Sequence, residues 1–290
     1  MTGVSSALLV FGAGCSVDNS TLDGAGAAGD APIVVGAGST EVGAVVAQLY
    51  AGILRTTGVS VSVRDNLGDR ADYLDVLDSG EVTVVPDFTG ELLTYFEPAA
   101  TATTPTDVFG ELSASLPQGF SVSDFAAAEN RSVLVVDQVV ARDVHDVDDL
   151  ASRCATSTLV VGGEFDRTAL AGDTLRSVPD CTFAGVADGA ADPEVLERLG
   201  ADRASVGALT TLSGLLGSGN LVALSDDEGA FRAQNVVPLH RSGTLAEAQI
   251  KALNVVAGEL TSADLADMVD QVREGAESED VARAWLDAHS

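Results

Sequence analysis

NLGDR at residues 66–70 and PDFTG at residues 86–90 carry the clearest structural signals in this chain. Residues 73–85 (YLDVLDSGEVTVV) connect them and predict a helix, a turn and a buried strand, with Gly80 as the left-handed residue that ends the helix. The two stretches therefore lie at opposite ends of one helix-to-strand unit. Repeated units of this kind build a parallel sheet with helices on both faces.

The same alternation of strands and helices continues on both sides of this unit and predicts an α/β fold. Towards the N-terminus and through the unit, the patterns predict strands at 32–35, 59–64 and 83–85 and helices at 42–57 and 70–79. Further along they predict strands at 133–136, 158–161, 182–185, 204–209 and 221–227, with helices at 147–155, 166–176 and 193–199. The last third of the chain is predicted to be helical, with helices that begin at Ser262 and Ser278.

The composition indicates a folded protein with an acidic surface. Its 290 residues are 46% hydrophobic with a mean hydropathy of +0.24, which excludes a mainly disordered protein. No apolar run reaches the ~18 residues of a membrane-spanning helix. The net charge of −29 repels phosphate backbones and argues against nucleic acid as a partner. Solubility, or adaptation to a salty medium, explains the charge better than attraction of cationic solutes, because salt screens surface charges within ~8–10 Å.

The N-terminal residues resemble the signal of a lipoprotein. Residues 5–14 (SSALLVFGAG) are small or apolar and end at Cys15, and residues 16–32 form a tether rich in Ser, Gly, Ala and Asp. That order predicts that residues 1–30 are a signal and tether, that Cys15 is acylated, and that a lipid anchor holds the protein outside the cytoplasm. The alternative is a non-functional N-terminus in which Cys15 is incidental.

Cys154 and Cys181 remain once Cys15 is set aside. In an exported chain an even remainder suggests a disulfide, and both residues fall in the same predicted half of the molecule. Closing that loop would stabilise the fold by roughly 3–4 kcal/mol. Two buried free thiols are the alternative. No third ligand lies near enough in the sequence to indicate a metal site, and we predict none.

The two stretches quoted above resemble the substrate-binding proteins of osmoprotectant ABC importers, which are receptors for glycine betaine, choline and carnitine. In that family a Gly-x-Arg opens a helix, here residues 68–70, and a Pro-acid-aromatic-Thr-Gly loop, here residues 86–90, lines the ligand cleft. The VARAWL sequence at residues 281–286 matches a Val-Ala-x-x-Trp-Leu of the family. The resemblance therefore spans about residues 31–288.

This resemblance implies a two-lobed clamshell of the type II periplasmic-binding-protein fold, with a sheet in each lobe and a ligand cleft between them. It implies that lobe one consists of residues 31–129 plus 232–290 and that lobe two consists of residues 130–231. Such lobes close around a solute and present the closed form to a permease.

The resemblance also implies which residues contact the ligand. Phe88 is expected to face a quaternary ammonium, Thr89 to form a hydrogen bond, and Asp87 to act as a counter-charge or, alternatively, as a helix cap. The other expected ligand-binding residues lie elsewhere in the chain and are Gly38, Ser39, Ser132, Arg167, Thr210 and Gln234.

The expected pocket departs from the family pattern at several of these positions. Gly38 stands where family members often carry a lysine that holds the ligand carboxylate. Family members also surround the quaternary ammonium with a cage of aromatic side chains, and three of those positions are here Ser132, Leu209 and Gln234. A cage that keeps only Phe88 loses most of the aromatic faces that hold trimethylammonium. We therefore predict weak or no binding of glycine betaine, and a pocket compatible with a larger, neutral, hydroxyl-bearing ligand.

The sequence as a whole predicts an exported, monomeric solute receptor that works with the permease and ATPase subunits of an ABC importer. It requires no cofactor, and neither a catalytic nor a metal-binding motif stands out. Two other classes remain open: a two-lobed enzyme of the transferase type, and a sensor that signals to a membrane partner. A cofactor lysine would indicate the enzyme, but Lys251 lies in a predicted surface helix. Neighbouring genes for a permease and an ATPase would separate the receptor from the sensor.

Overall fold

The computed structural model describes residues 31–163, 165–178, 180–216 and 220–289. The signal and tether expected at residues 1–30, with the expected lipidation site Cys15, lie outside the described residues. Two five-stranded sheets with their surrounding helices and turns make up the fold. The predicted α/β class is confirmed.

Within these residues the strands are, in chain order, β1 (Ile33–Gly36), β2 (Val61–Arg64), β3 (Val84–Phe88), β4 (Phe120–Val122), β5 (Ser132–Asp137), β6 (Thr158–Gly162), β7 (Leu170–Ala171), β8 (Thr174–Leu175), β9 (Gly185–Ala190), β10 (Val206–Thr210), β11 (Leu221–Ala223) and β12 (Val236–Arg241). The helices are α1 (Glu41–Arg55), α2 (Arg70–Ser79), α3 (Thr89–Phe96), α4 (Pro105–Ser115), α5 (Asp192–Ala201), α6 (Glu247–Glu259), α7 (Ser262–Arg273) and α8 (Ser278–His289). Short 3-10 turns connect several of these elements.

The first sheet has the strand order β2-β1-β3-β12-β4. The strands β1, β2 and β3 are parallel, as the predicted strand–helix alternation requires, whereas β12 is antiparallel to both of its neighbours. Because Phe88 at the end of β3 pairs with Val236 at the start of β12, one edge of the sheet carries the ends of β1 and β3 and the start of β12. Helix N-termini gather at this edge, as is usual for parallel strands.

The second sheet has the strand order β11-β5-β10-β6-β9. The strands β6, β9 and β10 are parallel and end at one edge. The antiparallel strand β5 begins at that edge, with Ser132 opposite Thr210. Beside this sheet, Cys154 and Cys181 form a disulfide with Cα atoms 5.1 Å apart.

Two crossover segments connect the sheets. The outgoing crossover, residues 123–131, joins β4 to β5, and the return crossover, residues 224–235, joins β11 to β12. The two segments run antiparallel, with hydrogen bonds from Ala126 N to Val236 O and from Asn130 N to Gln234 O. Beyond β10, Leu212 is buried in the hydrophobic core around α1, so a loop of the second sheet is anchored in the first half of the molecule. The strand ends of the two sheets therefore lie on either side of the crossovers.

Helices α1 and α2 form where the sequence predicts them. Thr40 caps α1 by accepting a hydrogen bond from Gly43 N. A capping box of Asp69 and Asp72 begins α2, and Gly80, with a φ of 81°, ends it. These caps fix both helix starts beside the edge of the first sheet where β1 and β3 end.

The helix predicted at 147–155 is wrong. The structure has two short 3-10 turns instead, Asp148–Ser152 and Cys154–Thr156. The carboxylate of Asp149 accepts hydrogen bonds from the backbone amides of residues 145 and 146. Such local bonds between acidic side chains and nearby amides compete with a regular helix, which accounts for the irregular backbone here.

The helix predicted at 166–176 is also wrong. Arg167–Ala169 is a single 3-10 turn, and the β7–β8 hairpin follows it. Gly172 has a φ of 64° at the hairpin turn, a conformation that ends any right-handed helix. The sequence interpretation also missed the elements α3, α4, β4 and β12.

Candidate ligand-binding site

A cavity of about 280 Å³ opens at the edge of the first sheet, between the starts of α1, α2 and α3. Its walls are the β1–α1 turn with Gly38 and Ser39, the start of α2 with Arg70, and the β3–α3 turn with Asp87 and Phe88. Every described residue that lines it belongs to the first sheet, its helices or their connecting turns. Strand ends and helix N-termini that meet in this way suit a small polar ligand.

The β1–α1 turn packs closely against the rest of the wall. Ser39 N donates a hydrogen bond to the Gly68 carbonyl oxygen at 3.2 Å. A Cβ at Gly38 would lie 3.3 Å from both that oxygen and the ring of Tyr73, which is tighter than most Cβ contacts. This close approach explains the glycine at position 38, which contributes no charged side chain to the wall.

A buried carboxylate holds the wall together. Asp87 is 5% exposed and accepts hydrogen bonds from Arg70 Nε at 3.1 Å, Arg70 Nη2 at 2.8 Å and the Tyr73 hydroxyl at 2.5 Å. It also accepts one from Phe88 N at 2.7 Å. Hydrogen bonds to an ionised group are among the strongest in proteins, so this set fixes the side chains of α2 against β3.

Burial and the Asp87 carboxylate determine the protonation of its neighbours. Burial, followed by the charge of Asp87, raises the pKa of Tyr73 far above its usual value. Burial alone would lower the pKa of Arg70, but the hydrogen bond and charge of Asp87 outweigh it and raise that pKa. The phenol and the guanidinium therefore keep their protons throughout the neutral range.

Asp87 does not cap α3, so that alternative is wrong. The N-cap residue of α3 is Phe88, which makes no side-chain capping bond. The partner of Asp87 is Arg70, which also pairs with Glu91. Together with Asp69, the described lining carries three carboxylates and one guanidinium, which leaves two net negative charges.

Phe88 supplies aromatic surface to the cavity. It is partly buried, and Val42, Val46 and Val236 are the apolar lining residues that pack with it in one core cluster. The other lining aromatic, Tyr73, has its hydroxyl bonded to Asp87. The cavity thus combines apolar surface with net negative charge, which is the chemistry that binds an organic cation.

Two expected ligand contacts, Thr89 and Gln234, bind other parts of the protein. Thr89 is fully buried, and its hydroxyl accepts a hydrogen bond from Asn235 N at 3.1 Å. The side-chain oxygen of Gln234 accepts one from Glu91 N at 2.9 Å. Both bonds hold the start of α3 against the return crossover, and neither residue is among the described residues that line the cavity.

The remaining expected contacts lie together at the facing edge of the second sheet. Ser132 and Thr210, which are 6% and 4% exposed, stand opposite each other there. Ser132 Oγ accepts a hydrogen bond from Asp166 N at 3.0 Å, and Arg167 pairs with Asp188. The structure therefore brings one group together on the first sheet and another on the second: Gly38, Ser39, Asp87 and Phe88, and Ser132, Arg167 and Thr210.

Arg70, Tyr73 and Glu91 are among the cavity-lining residues that sequence reasoning did not assign to the site. Arg70 is the last residue of the Gly-x-Arg motif, and Tyr73 follows three residues later on the same face of α2. These two were therefore open to prediction. Glu91 gave no signal of its own, because it belongs to the first turn of α3, which was not predicted.

Comparison with known families agrees with the resemblance carried by the sequence. The model of the OpuAC family, described as the substrate binding domain of ABC-type glycine betaine transport systems, matches residues 31–288. The chain belongs to the OpuAC family. It is a solute-binding receptor of the osmoprotectant importer class, as the stretches at 66–70 and 86–90 predict. The transferase and sensor alternatives do not fit this assignment.

Solved structures share the fold of this OpuAC-family chain. Apo YehZ from Escherichia coli superposes with a TM-score of 0.73 at 20% identity, covering 89% of this chain and 98% of its own. A glycine betaine/carnitine/choline ABC transporter protein gives 0.76 at 16% identity, with 90% and 98% covered. Lactococcal OpuAC, closed around glycine betaine, gives 0.55 at 14% identity, with 90% and 96% covered. The two-lobed, type II periplasmic-binding-protein fold is thereby confirmed.

No curated protein sequence gives a significant match to this OpuAC-family chain. Among the helices of the described residues, none combines the length and the apolar character that crossing a bilayer requires. Members of the family act outside the cytoplasm, where they bind small solutes and present them to a permease.

Proposed function

We propose that this receptor captures a small organic cation, or a solute rich in hydroxyl groups, and delivers it to the permease and ATPase subunits of an ABC importer. It binds and releases the solute without catalysing a reaction. The observation that carries the proposal is the composition of the cavity wall. Phe88 contributes an aromatic face, and the lining carboxylates outnumber the guanidinium of Arg70 by two.

The helix starts at the cavity offer backbone amides to a ligand carboxylate, but the side chains of this wall disfavour one. Gly38 has no side chain to pair with it, and Arg70 already donates to Asp87 and to Glu91. The Phe88 ring attracts a quaternary ammonium by ~0.5–2 kcal/mol. We therefore expect choline to bind more tightly than glycine betaine, whose carboxylate would approach acidic side chains. Solved relatives of this fold hold glycine betaine in one case and choline in another.

The proposed lobes follow the two sheets. Lobe one consists of residues 31–129 plus 232–290 and lobe two of residues 130–231, joined at the crossovers. Closure of the lobes brings the polar edge of the second sheet towards a ligand bound on the first. Ser132, Thr210 and Arg167 are the proposed contacts from that side, and their present hydrogen bonds and ion pair would rearrange or be shared with the ligand.

We also propose that Cys15 is acylated and that the mature receptor is a monomer held at the outer face of the membrane by a lipid anchor. Acylation is expected from the order of apolar core, small residues, cysteine and tether at the N-terminus. Mass spectrometry of the membrane-extracted protein tests this, since a lipoprotein begins at an acylated Cys15. Protein with an unmodified Cys15 would contradict the anchor.

A thermal-shift screen over choline, betaines, carnitine, ectoines and polyols tests the proposed function. A solute at 100 times its Kd adds ~2.7 kcal/mol to the free energy of unfolding, which raises the Tm measurably. Phe88→Ala is expected to abolish the shift. Tyr95→Ala is the matched control, because it removes a 48% exposed aromatic ring from α3 outside the cavity and should retain the shift.

Two outcomes of this screen count against the proposal. A shift that is equally large in Phe88→Ala would place the ligand away from the cavity. If no cation and no polyol in the screen raises the Tm, the proposed class of solute is contradicted.

A further inference from the structure

The start of α3 is capped from a distant part of the chain. Phe88, its N-cap residue, makes no side-chain capping bond. Instead, Thr89 N donates to Asn235 O at 2.9 Å, and Glu91 N donates to Gln234 Oε1 at 2.9 Å. Because Phe88 and Glu91 line the cavity, the return crossover sets the position of this part of the wall.

Gln234 also belongs to the junction between the two crossovers. Its carbonyl oxygen accepts a hydrogen bond from Asn130 N at 3.0 Å, and its backbone amide favours the charged form of the Glu129 carboxylate, which lowers the pKa of Glu129 against the effect of burial. Glu129 pairs with Arg131 at 3.2 Å, and Arg131 lies 3.8 Å from Asp226. One residue is thus bonded through its backbone to the junction of the lobes and through its side chain to the cavity wall.

The contact between α3 and the return crossover is also sterically tight. A Cβ at Gly90 would collide with the Ala233 carbonyl oxygen and would lie 2.9 Å from Gln234 Cδ. The absence of a side chain at Gly90 lets the first turn of α3 lie directly on the crossover. A displacement of the crossover is therefore passed to α3 and is not absorbed by empty space.

We propose that Gln234 is a positioning residue that couples the angle between the lobes to the position of Phe88 and Glu91. When the crossovers rotate during closure, the Gln234 side chain moves with them and displaces the first turn of α3. The wall then differs between open and closed forms, and a solute that fits the displaced wall better favours closure. This proposal rests on the proposed function only in treating the wall as the ligand-binding wall.

Amide hydrogen exchange on the ligand-free protein tests the coupling. Gln234→Met keeps the length of the side chain and removes its oxygen acceptor, whereas Gln234→Glu keeps an acceptor. Gln249→Met is the matched control, because Gln249 Oε1 accepts a hydrogen bond from Ala246 N at 2.8 Å at the start of α6. Gln249 is not among the described residues that line the cavity.

In Gln234→Met we expect exchange to accelerate roughly three- to tenfold at residues 89–92 and also at residues 128–131 of the outgoing crossover. Gln234→Glu is expected to restore protection of both segments. Gln249→Met is expected to change exchange at the start of α6 alone. Small-angle scattering should show a changed radius of gyration for Gln234→Met, because the lobe angle is no longer tied to the wall, and none for Gln249→Met.

Acceleration confined to residues 89–92 would make Gln234 a local helix cap and would overturn the coupling, as would unchanged exchange in both segments. Gly90→Ala is a second route if Gln234→Met does not fold. Its added Cβ pushes α3 away from the return crossover although the Gln234 side chain is not replaced. We expect amide exchange to accelerate at residues 89–92 and 128–131 in this variant as well. No ligand is needed, so a failed coupling leaves the receptor proposal untouched, and a failed solute screen leaves the coupling untouched.

Discussion

The first wall, which surrounds the cavity on the first sheet, and the second wall, the edge of the second sheet with Ser132 and Thr210, are built in different ways. On the first sheet, Asp87 draws Arg70 and Tyr73 together in the wall of a cavity. On the second sheet, Ser132 stands at the corresponding edge with its hydroxyl bonded to Asp166 N. No residue of the second sheet is among the described residues that line the cavity.

From this difference we propose that the first wall selects the ligand and that the second closes over it. The first wall is held by the capped starts of α1 and α2, whose bonds are local and numerous. The second wall is approached by short 3-10 turns and a hairpin, which form fewer backbone bonds per residue. Under this proposal, a wall held by local bonds loses little freedom on binding, and the second wall contributes on closure.

The largest effect is expected from removing the charge of Asp87 at the centre of the first wall. Asp87→Asn leaves the partly buried guanidinium of Arg70 with the exposed Glu91 as its carboxylate partner and weakens the acceptor of the Tyr73 hydroxyl, and we expect the free energy of unfolding to fall by about 3 kcal/mol. Urea denaturation monitored by circular dichroism measures this loss. Asp188→Asn is the control, because its pair with Arg167 is 60% and 49% exposed and should contribute less than about 1 kcal/mol. Equal losses in the two variants would show that the walls do not differ.

Removing the disulfide tests whether the second sheet is stabilised independently of the first wall. Replacing Cys154 and Cys181 by alanine is expected to lower the free energy of unfolding by roughly 3–4 kcal/mol, because the unfolded chain regains the entropy of a closed loop. Hydrogen exchange should accelerate around the second sheet, while the segments that line the cavity stay protected. Equal acceleration at residues 86–91 would mean that the first wall is not independently formed.

The negative charge of the first wall is expected to have a smaller effect, on the affinity for a cationic ligand. Glu91→Gln removes one of its negative charges, and since Glu91 is 48% exposed we expect only about a two- to fivefold loss of affinity for a cation such as choline. Titration calorimetry measures the change. Glu97→Gln, just beyond the end of the same helix and outside the described lining, should leave the affinity unaltered. A stronger affinity in Glu91→Gln would argue for an anionic ligand.

The smallest expected effect concerns acid sensitivity. His240 is 4% exposed in β12, and burial lowers its pKa, partly offset by a hydrogen bond with the Arg241 carbonyl. The folded protein keeps this imidazole neutral, whereas the unfolded chain binds a proton below pH ~6.5, so stability from this residue is present above that pH and is lost on acidification. Between pH 7.5 and 5.5, His240→Gln should lose less stability than the original protein.

Glu129 responds to pH in the opposite sense. Burial raises its pKa, against the attraction of Arg131, so its contribution to stability falls as the pH rises through the folded-state pKa. The two effects overlap in mildly acidic solution. The comparison for His240 is therefore made between variants at each pH and not from the pH profile of one protein.

The fold was predictable wherever nearby residues determine it. Asp69 and Asp72 cap α2 three residues apart, and Gly80 ends it in the left-handed conformation, so a window of about a dozen residues contains all of the information. The Gly-x-Arg motif located the cavity edge for the same reason. The start of α1 at Thr40 follows a similar local rule.

Elements that depend on distant partners were not predictable. The start of α3 has no local cap and takes one from Gln234, which is 143 residues away from Glu91. Pro238 lies within β12, between two partner strands, although proline usually argues against a central strand. The pairing of Asp87 with Arg70 likewise follows from the meeting of β3 and α2 in space, which the sequence spacing does not reveal.

Isothermal titration calorimetry of choline and glycine betaine tests most directly whether the preformed wall of the first sheet selects the ligand. Both solutes carry trimethylammonium, but choline ends in a hydroxyl and glycine betaine in a carboxylate. We predict that choline binds at least about tenfold more tightly, a difference of ~1.4 kcal/mol. Glycine betaine that binds as tightly as choline, with a micromolar Kd, would contradict the account, because the one cation among the described lining residues, Arg70, is already paired with Asp87 and Glu91.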